Sequence, residues 1–455
     1  MYKKYLILTV GGSDAPVVNA IELIKPNFVY FICSDDTDKT RGSYTTVDES
    51  GKPCGIIKTC PNCNHQHGEM KSSIVAQTGL EKENFKIIKI SQIDDLNDCY
   101  IKSGEVIQEI RKNDPAAAII ADYTGGTKSM SSGLAAAAMD DGNIQISIVK
   151  GRRLDLHKVK DGTQSARLIE SSRIFLEKKL KLVEGFWSNY DFRSSLEVIA
   201  EIAGKPLSSE YYDRLDKIRY FCSGFEAWDR FDHQAALEQL KPYKNEPYLK
   251  HHSKLLSEII RVKQWWPGES LEDPAKKSFK QRAHIYCFAP VFDLLLNAKR
   301  RVKQGRYDDA VARIYRALEL FGQLNLLRWE KPLATSDLNI EFLPENLKKR
   351  FQIQEASGEK ITLALMQGFF LLEELETPVG RAFDKHCKKL KLVLNKRNNS
   401  LMAHGIIPIS KEDSLEAISI VENFLLGSLT ELGEEKPDFE LLQFPADLLK
   451  QASLI

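Results

Sequence analysis

Five short, nearly unbroken apolar runs lie in the first 165 residues, and few folds are open to a chain that carries them. Tyr5–Val10 (YLILTV), Phe28–Cys33 (FVYFIC), Phe85–Ile90 (FKIIKI), Ala117–Tyr123 (AAIIADY) and Ile144–Val149 (IQISIV) read as strands. A strand that is apolar at successive positions, rather than at every second one, must be covered on both faces. Helical patterns fall between the runs, at Ala15–Ile24, Ser103–Lys112 and Lys128–Met139. Buried strands alternating with helices predict a parallel sheet sandwiched between helical layers, a Rossmann-like α/β domain.

Beyond about Ala166 the strand signals nearly vanish and amphipathic helical patterns run towards the C-terminus. In Val291–Leu327, Gly305 interrupts the pattern, and Ala310, Ile314, Ala317, Leu318 and Phe321 then recur at helical spacing, so one face is expected to be buried. The stretch from Trp265-Trp266-Pro267-Gly268 to Lys277 breaks the helical region, which sets a boundary near Ser278. The expected organisation is an α/β domain over residues 1–165, a helical connecting domain over 166–277 and a second helical domain over 278–455. The last twenty residues, with Pro437 and Pro445, read as an irregular tail.

Sixty-four Lys and Arg stand against 63 Asp and Glu, a formal net charge of +1, so neither a globally basic nucleic-acid coat nor an acidic solvating tail is present. Any contact with nucleic acid must be local. No stretch approaches the roughly 18 apolar residues that cross a bilayer. Met1–Val10 reads as a first buried strand rather than a secretory leader. Most of the eight cysteines are scattered, as in a reducing compartment, and a cytoplasmic location is expected.

The segment Asp122-Tyr123-Thr124-Gly125-Gly126-Thr127-Lys128-Ser129-Met130 leaves a predicted strand and opens an Ala-rich helix. Adjacent glycines let the backbone turn tightly and approach a ligand closely. Hydroxyls from Thr124, Thr127 and Ser129, the Lys128 ammonium and a helix N-terminus together suit an anion or phosphate. The segment lacks the G-x-x-x-x-G-K-[ST] spacing of a Walker A loop, because Thr127 separates Gly126 from Lys128. A second small-residue loop, Gly11-Gly12-Ser13, follows the first strand on the same sheet edge.

Near the C-terminus stands Arg397-Asn398 followed by His404-Gly405. On a continuous helix, residues seven apart share a face two turns apart. Arg supplies a permanent cation whose fork suits phosphate oxygens, and His exchanges a proton near neutral pH. Such a pair suits RNA cleavage by the neighbouring ribose 2′-OH. An exposed polar helix end is the plainer alternative.

These two constellations, in this order and on these two textures, make the sequence similar to the CRISPR-associated CARF–HEPN ribonucleases of type III systems. The N-terminal likeness rests on LILTVGGS at Leu6–Ser13 and DYTGGTKSM at Asp122–Met130. The C-terminal likeness rests on Arg397, Asn398 and His404, which resemble that family's R-x4-6-H motif, and on the helix Gln304–Leu320. The resemblance implies a CARF domain that binds a cyclic oligoadenylate through Gly11, Gly12, Ser13, Thr124, Gly125, Gly126, Thr127 and Lys128. It implies a HEPN domain in which Arg397 and His404 cleave single-stranded RNA without metal, leaving a 2′,3′-cyclic phosphate, with Asn398 positioning. With one motif per chain, it also implies a homodimer with a composite site. Cyclic tetra-adenylate is the expected activator, with hexa-adenylate as the other ring size. Alternatives are a non-catalytic nucleotide sensor whose helical region binds a partner protein, and a sensor that also degrades its ring. The segment 166–277 has no counterpart in this comparison.

One feature stands apart from the resemblance. The insert at 35–79 holds Cys54, Cys60-Pro61-Asn62-Cys63, His65 and His67. One C-x-x-C turn with a further Cys and a His is the donor set of a tetrahedral zinc knuckle, here Cys54, Cys60, Cys63 and His67 or His65. Its role would be structural.

Overall fold

The computed structural model describes residues 3–38, 41–48, 58–59, 66–67, 72–150, 165–169, 172–204, 209–269, 276–356 and 360–455. It divides into two compact units, Met1–Lys179 with Glu201–Ser208, and Leu180–Ala200 with Ser209–Ile455.

The first unit runs β1 (Lys4–Val10), α1 (Ala15–Ile24), β2 (Phe28–Ser34), α2 (Thr45–Asp48), β3 (Lys58–Thr59), β4 (Gln66–His67), α3 (Ile74–Thr78), β5 (Phe85–Ile90), α4 (Leu96–Asn113), β6 (Ala118–Asp122), α5 (Lys128–Asp141), β7 (Gln145–Lys150) and β8 (Ser165–Ile169). Its main sheet is ordered β5-β2-β1-β6-β7-β8. The first five strands in that order are parallel, as the sequence predicts, and β8 adds an antiparallel edge strand. Alternate residues of each strand feed opposite layers. Leu6, Leu8, Val10, Phe31 and Cys33 pack with Val17, Ala20 and Ile21 of α1, while Ile7, Ile32, Ile119 and Ile146 pack with Ile107, Ile110 and Leu134 of α4 and α5. Both faces are therefore dry, which is why the strands show no polar alternation. Short β3 and β4 pair separately, with Lys58 opposite His67.

Strand order reverses between β1 and β6. After β1 the chain moves outward through β2 and β5; after β6 it moves the other way through β7. The loops leaving β1 and β6 thus flank the crevice where open α/β sheets bind ligands.

Helices α6 (Ser172–Ser188) and α7 (Phe192–Ala203) span the division between the units. The second unit continues with α8 (Ser209–Asp229), α9 (His233–Leu240), α10 (Lys250–Gln264), α11 (Phe279–Ile285), α12 (Ala289–Lys303), α13 (Tyr307–Arg328), α14 (Glu345–Ala356), α15 (Leu365–Glu374), α16 (Pro378–Asn398), α17 (Lys411–Leu432), α18 (Phe439–Leu442) and α19 (Leu448–Gln451). Gly305, at φ +74°, makes the break between α12 and α13 that the sequence predicts. Ala310, Ile314, Ala317, Leu318 and Phe321 form the buried stripe of α13 and meet Phe369, Phe383, Val421 and Phe424 in one core. Caps fix the ends of the two helices that carry the site: Thr377 Oγ1 accepts the Gly380 N–H at 3.0 Å to start α16, and Ser410 Oγ accepts the Asp413 N–H at 3.0 Å to start α17.

The tail departs from expectation. It carries two short helices and is docked, with Phe444, Leu448, Leu449 and Leu454 buried. Trp187 Nε1 donates to the Pro445 carbonyl (2.9 Å), and His252 Nε2 pairs with the Gln443 carbonyl (2.9 Å). Apolar residues spaced too unevenly for one helix can still fill a groove on helices already formed. No described helix is long and apolar enough to cross a membrane.

Candidate functional site

On the first unit, the two loops at the reversal point touch. A Cβ on Gly11 would lie 2.9 Å from the Gly126 nitrogen, and one on Gly125 would run into the Thr9 carbonyl oxygen. Gly126 itself takes φ +80°. Only glycine permits this approach, and the result is a shallow seam of backbone at the sheet edge. Hydroxyls lock it. Thr9 Oγ1 and Ser131 Oγ both donate to the Gly125 carbonyl at 2.6 Å, while Thr124 Oγ1 accepts the Val149 N–H at 2.8 Å. Beneath the loop, Asp122 Oδ1 accepts the Thr124 N–H at 3.0 Å, and burial raises that carboxyl's pKa.

These bonds redistribute the roles that the sequence suggests. Thr127 Oγ1 donates to the Ile93 carbonyl (2.6 Å) and accepts the Met130 N–H (3.2 Å), so its hydroxyl caps α5 and ties down the loop. Ser129 Oγ donates to the Asp94 carbonyl at 3.0 Å. Gly12, Ser13 and Lys128 are exposed at the rim. A ligand at this edge would meet backbone N–H groups, the Ser13 hydroxyl and the Lys128 ammonium.

On the second unit, the structure corrects the picture of Arg397 and His404 on one continuous helix. α16 ends at Asn398. Ser400 Oγ donates back to the Arg397 carbonyl at 2.7 Å, and such local bonds from a short polar side chain compete with the next helical turn. The chain then folds over on itself. The His404 N–H donates to the Asn398 carbonyl (3.2 Å), the Gly405 N–H to the Ser400 carbonyl (3.1 Å) and the Ile407 N–H to the Asn399 carbonyl (3.4 Å). A Cβ on Gly405 would collide with the Asn399 carbonyl oxygen, which explains the glycine after the histidine. A turn, not a helical face, brings His404 back beside Asn398.

Arg397 Nη1 donates to Asn398 Oδ1 at 3.1 Å, and its guanidinium carbon lies 4.4 Å from the centroid of the Tyr315 ring. Its neighbour Lys396 reaches the other way, to Asp413 (2.5 Å) and Glu416 (2.6 Å) on α17. Hydrogen bonds to those two carboxylates raise the Lys396 pKa, and the Lys396 bond lowers that of Asp413. Asp308 Oδ2, on α13, accepts the Ile409 N–H at 3.1 Å and fastens the segment leaving the turn. Tyr315 and Asp308 were invisible to motif reading, because they sit within an ordinary amphipathic helix, α13. His404 and Asn398 face solvent and Arg397 is half-buried. A cation and an imidazole on an open surface can meet a phosphodiester.

The proposed zinc ligands Cys54, Cys60 and Cys63 lie outside the described residues, as does the His67 side chain. Among the described residues no His, Cys, Asp and Glu cluster has the makings of a metal site.

Residues 276–427, which include Arg397 and His404, match the Csm6 HEPN domain model, and residues 175–264 match the Csm6 6H domain model. The chain belongs to the Csm6 family. The helices that the sequence left without a counterpart therefore correspond to the 6H domain of Csm6, and α11 to α16 with most of α17 correspond to its HEPN domain. The structure of Enterococcus italicus Csm6 bound to cyclic hexa-2′-fluoro-hexa-dAMP is similar over 100% of both chains, with a TM-score of 0.61 and 13% sequence identity. At that identity the likeness to the Enterococcus Csm6 is one of fold. No curated protein matches the chain in sequence.

Proposed function

We propose that this Csm6-family chain is a cyclic-oligoadenylate-activated, metal-independent endoribonuclease of type III CRISPR defence that cuts single-stranded RNA as a homodimer. The observation that carries the reading is the turn after α16, which returns His404 to the Arg397-Asn398 end of that helix on an open surface. Chemically, His404 takes the proton of a ribose 2′-OH or supplies one to the departing 5′-oxygen. Arg397 offsets charge building on the phosphate. The ribose oxygen bonds to phosphorus as the P–O5′ bond breaks, leaving a 2′,3′-cyclic phosphate and a 5′-OH.

Pairing with a second copy is supported by the surroundings of the turn. Leu401, Met402, Ile406 and Ile407 flank His404, and Ile406 is 86% exposed. Contiguous exposed apolar residues of this kind mark interaction surfaces. A second copy would cover them and bring two Arg–His pairs together. The messenger is assigned to the Gly11–Ser13 and Thr124–Lys128 edge, in keeping with the ring analogue bound by the Enterococcus relative. The ring in that relative's structure is a hexa-adenylate analogue, so hexa-adenylate is tried beside tetra-adenylate.

The test is cleavage of a fluorescent single-stranded RNA in excess chelator, with each ring added separately, followed by analysis of the new ends. Cleavage that needs one ring, persists without metal and leaves a cyclic phosphate is the expected result. Ring binding without cleavage would favour the sensor alternative. In the same system, Gly125→Ala should weaken ring binding by roughly tenfold or more, because its Cβ must push Thr9 and the β1 loop aside. Unchanged affinity by calorimetry would move the ring site elsewhere.

A further inference from the structure

We infer that Tyr315 is a positioning residue for Arg397, a role resting on the ribonuclease reading above and deepening it. The guanidinium carbon lies 4.4 Å from the centroid of the phenol ring, within the range where the ring's negative face attracts a cation. Its hydrogen bond to protein is Nη1 to Asn398 Oδ1 (3.1 Å), so most of the five-donor fork stays open to a phosphate. An arginine at a half-exposed helix end otherwise samples many rotamers, and fixing it only when the charge develops would raise the barrier. The ring supplies that fixation beforehand without consuming an N–H donor.

Tyr315 is itself rigidly placed. It sits on α13 beside Ile314, Ala317 and Leu318, which are buried, and it packs against the same core. Asp308 lies seven residues earlier, on the same face of α13 two turns away, and holds the Ile409 N–H. One helix face therefore steadies both halves of the site: the arginine through Tyr315, and the segment leaving the His404 turn through Asp308.

The experiment compares wild type, Tyr315→Phe and Tyr315→Leu in ring-activated cleavage, with kcat and KM read separately and Tm recorded. Phe keeps the ring and should stay within about twofold of wild type, whereas Leu should lower kcat by roughly three- to thirtyfold with KM and Tm nearly unchanged. A Leu variant as fast as wild type overturns the inference. So does a Phe variant that falls as far as Leu, because the hydroxyl would then carry the effect. Wild type that fails to cleave with either ring removes the ribonuclease reading itself, and that failure is read before any variant is compared.

Discussion

Replacing His404 with alanine is expected to lower ring-activated RNA cleavage by about 10²–10⁴-fold, the usual contribution of one positioned general acid or base. That corresponds to roughly 3–5 kcal/mol of barrier. Stability should barely change, because the His404 side chain is exposed and the turn is held by backbone bonds from residues 404, 405 and 407. Ring affinity should also persist, since the seam at Gly11 and Gly125 lies on the first unit. Measured together, cleavage rate, Tm and ring affinity separate a lost proton carrier from a lost fold. Cleavage in the His404→Ala protein close to wild type would sink the catalytic assignment and favour the sensor reading.

The second large effect concerns stability. Arg300→Met is expected to cost about 3–5 kcal/mol, the penalty for removing one member of a buried ion-pair network whose carboxylates keep only their remaining partners. The Arg300 side chain is wholly buried on α12. It pairs with Asp229 of α8 at 2.9 Å, lies 3.9 Å from Asp293, donates to Gln443 Oε1 at 2.7 Å and covers the Phe444 ring at 3.6 Å. Asp293 also accepts from Trp228 Nε1 (3.0 Å) and pairs with His233 Nε2 (3.0 Å). Burial pushes the Arg300 guanidinium down to about 10, which still leaves it charged at neutral pH. Helix α8 lies within the 6H match, α12 lies within the HEPN match, and the tail lies beyond both, so this knot joins three segments. Arg300→Lys should rescue little, because a point charge cannot reach Asp229 and Gln443 together. Thermal unfolding decides the matter, and a Tm within a degree of wild type would show the knot to be dispensable.

The α/β unit was legible because its strands are buried on both sides, so each became an uninterrupted apolar word. Four of the five strands match their predicted runs to within one residue at each end, and Phe85–Ile90 matches at both. Helix α4 starts seven residues before its predicted Ser103, because its first turns, Leu96-Asn97-Asp98-Cys99, carry polar residues and depend on the Asp95 cap rather than on an apolar face. Strand β8 was missed for a related reason: Ser165-Ala166-Arg167-Leu168-Ile169 is a mixed edge strand whose place is fixed by pairing with β7. The site residues were legible as residue types but not as geometry. Helical spacing put Arg397 and His404 on one face, yet Asn398, Asn399 and Ser400 end the helix, and the supports at Tyr315 and Asp308 come from a helix distant in sequence.

A histidine carried by a turn also obeys a different rule of spacing. Each residue added to an α-helix rotates the next side chain by about 100°, so changing a gap by one or two residues would swing a helix-borne partner away from its arginine. Among gaps of four, five and six residues, only the last returns to the starting face. The backbone bonds from His404 to Asn398 and from Gly405 to Ser400 free the pair from that arithmetic, since a loop can absorb a residue that a helix cannot. Chains with shorter gaps between the two residues can therefore build the same pairing, and the length of the gap becomes a tolerance instead of a signature.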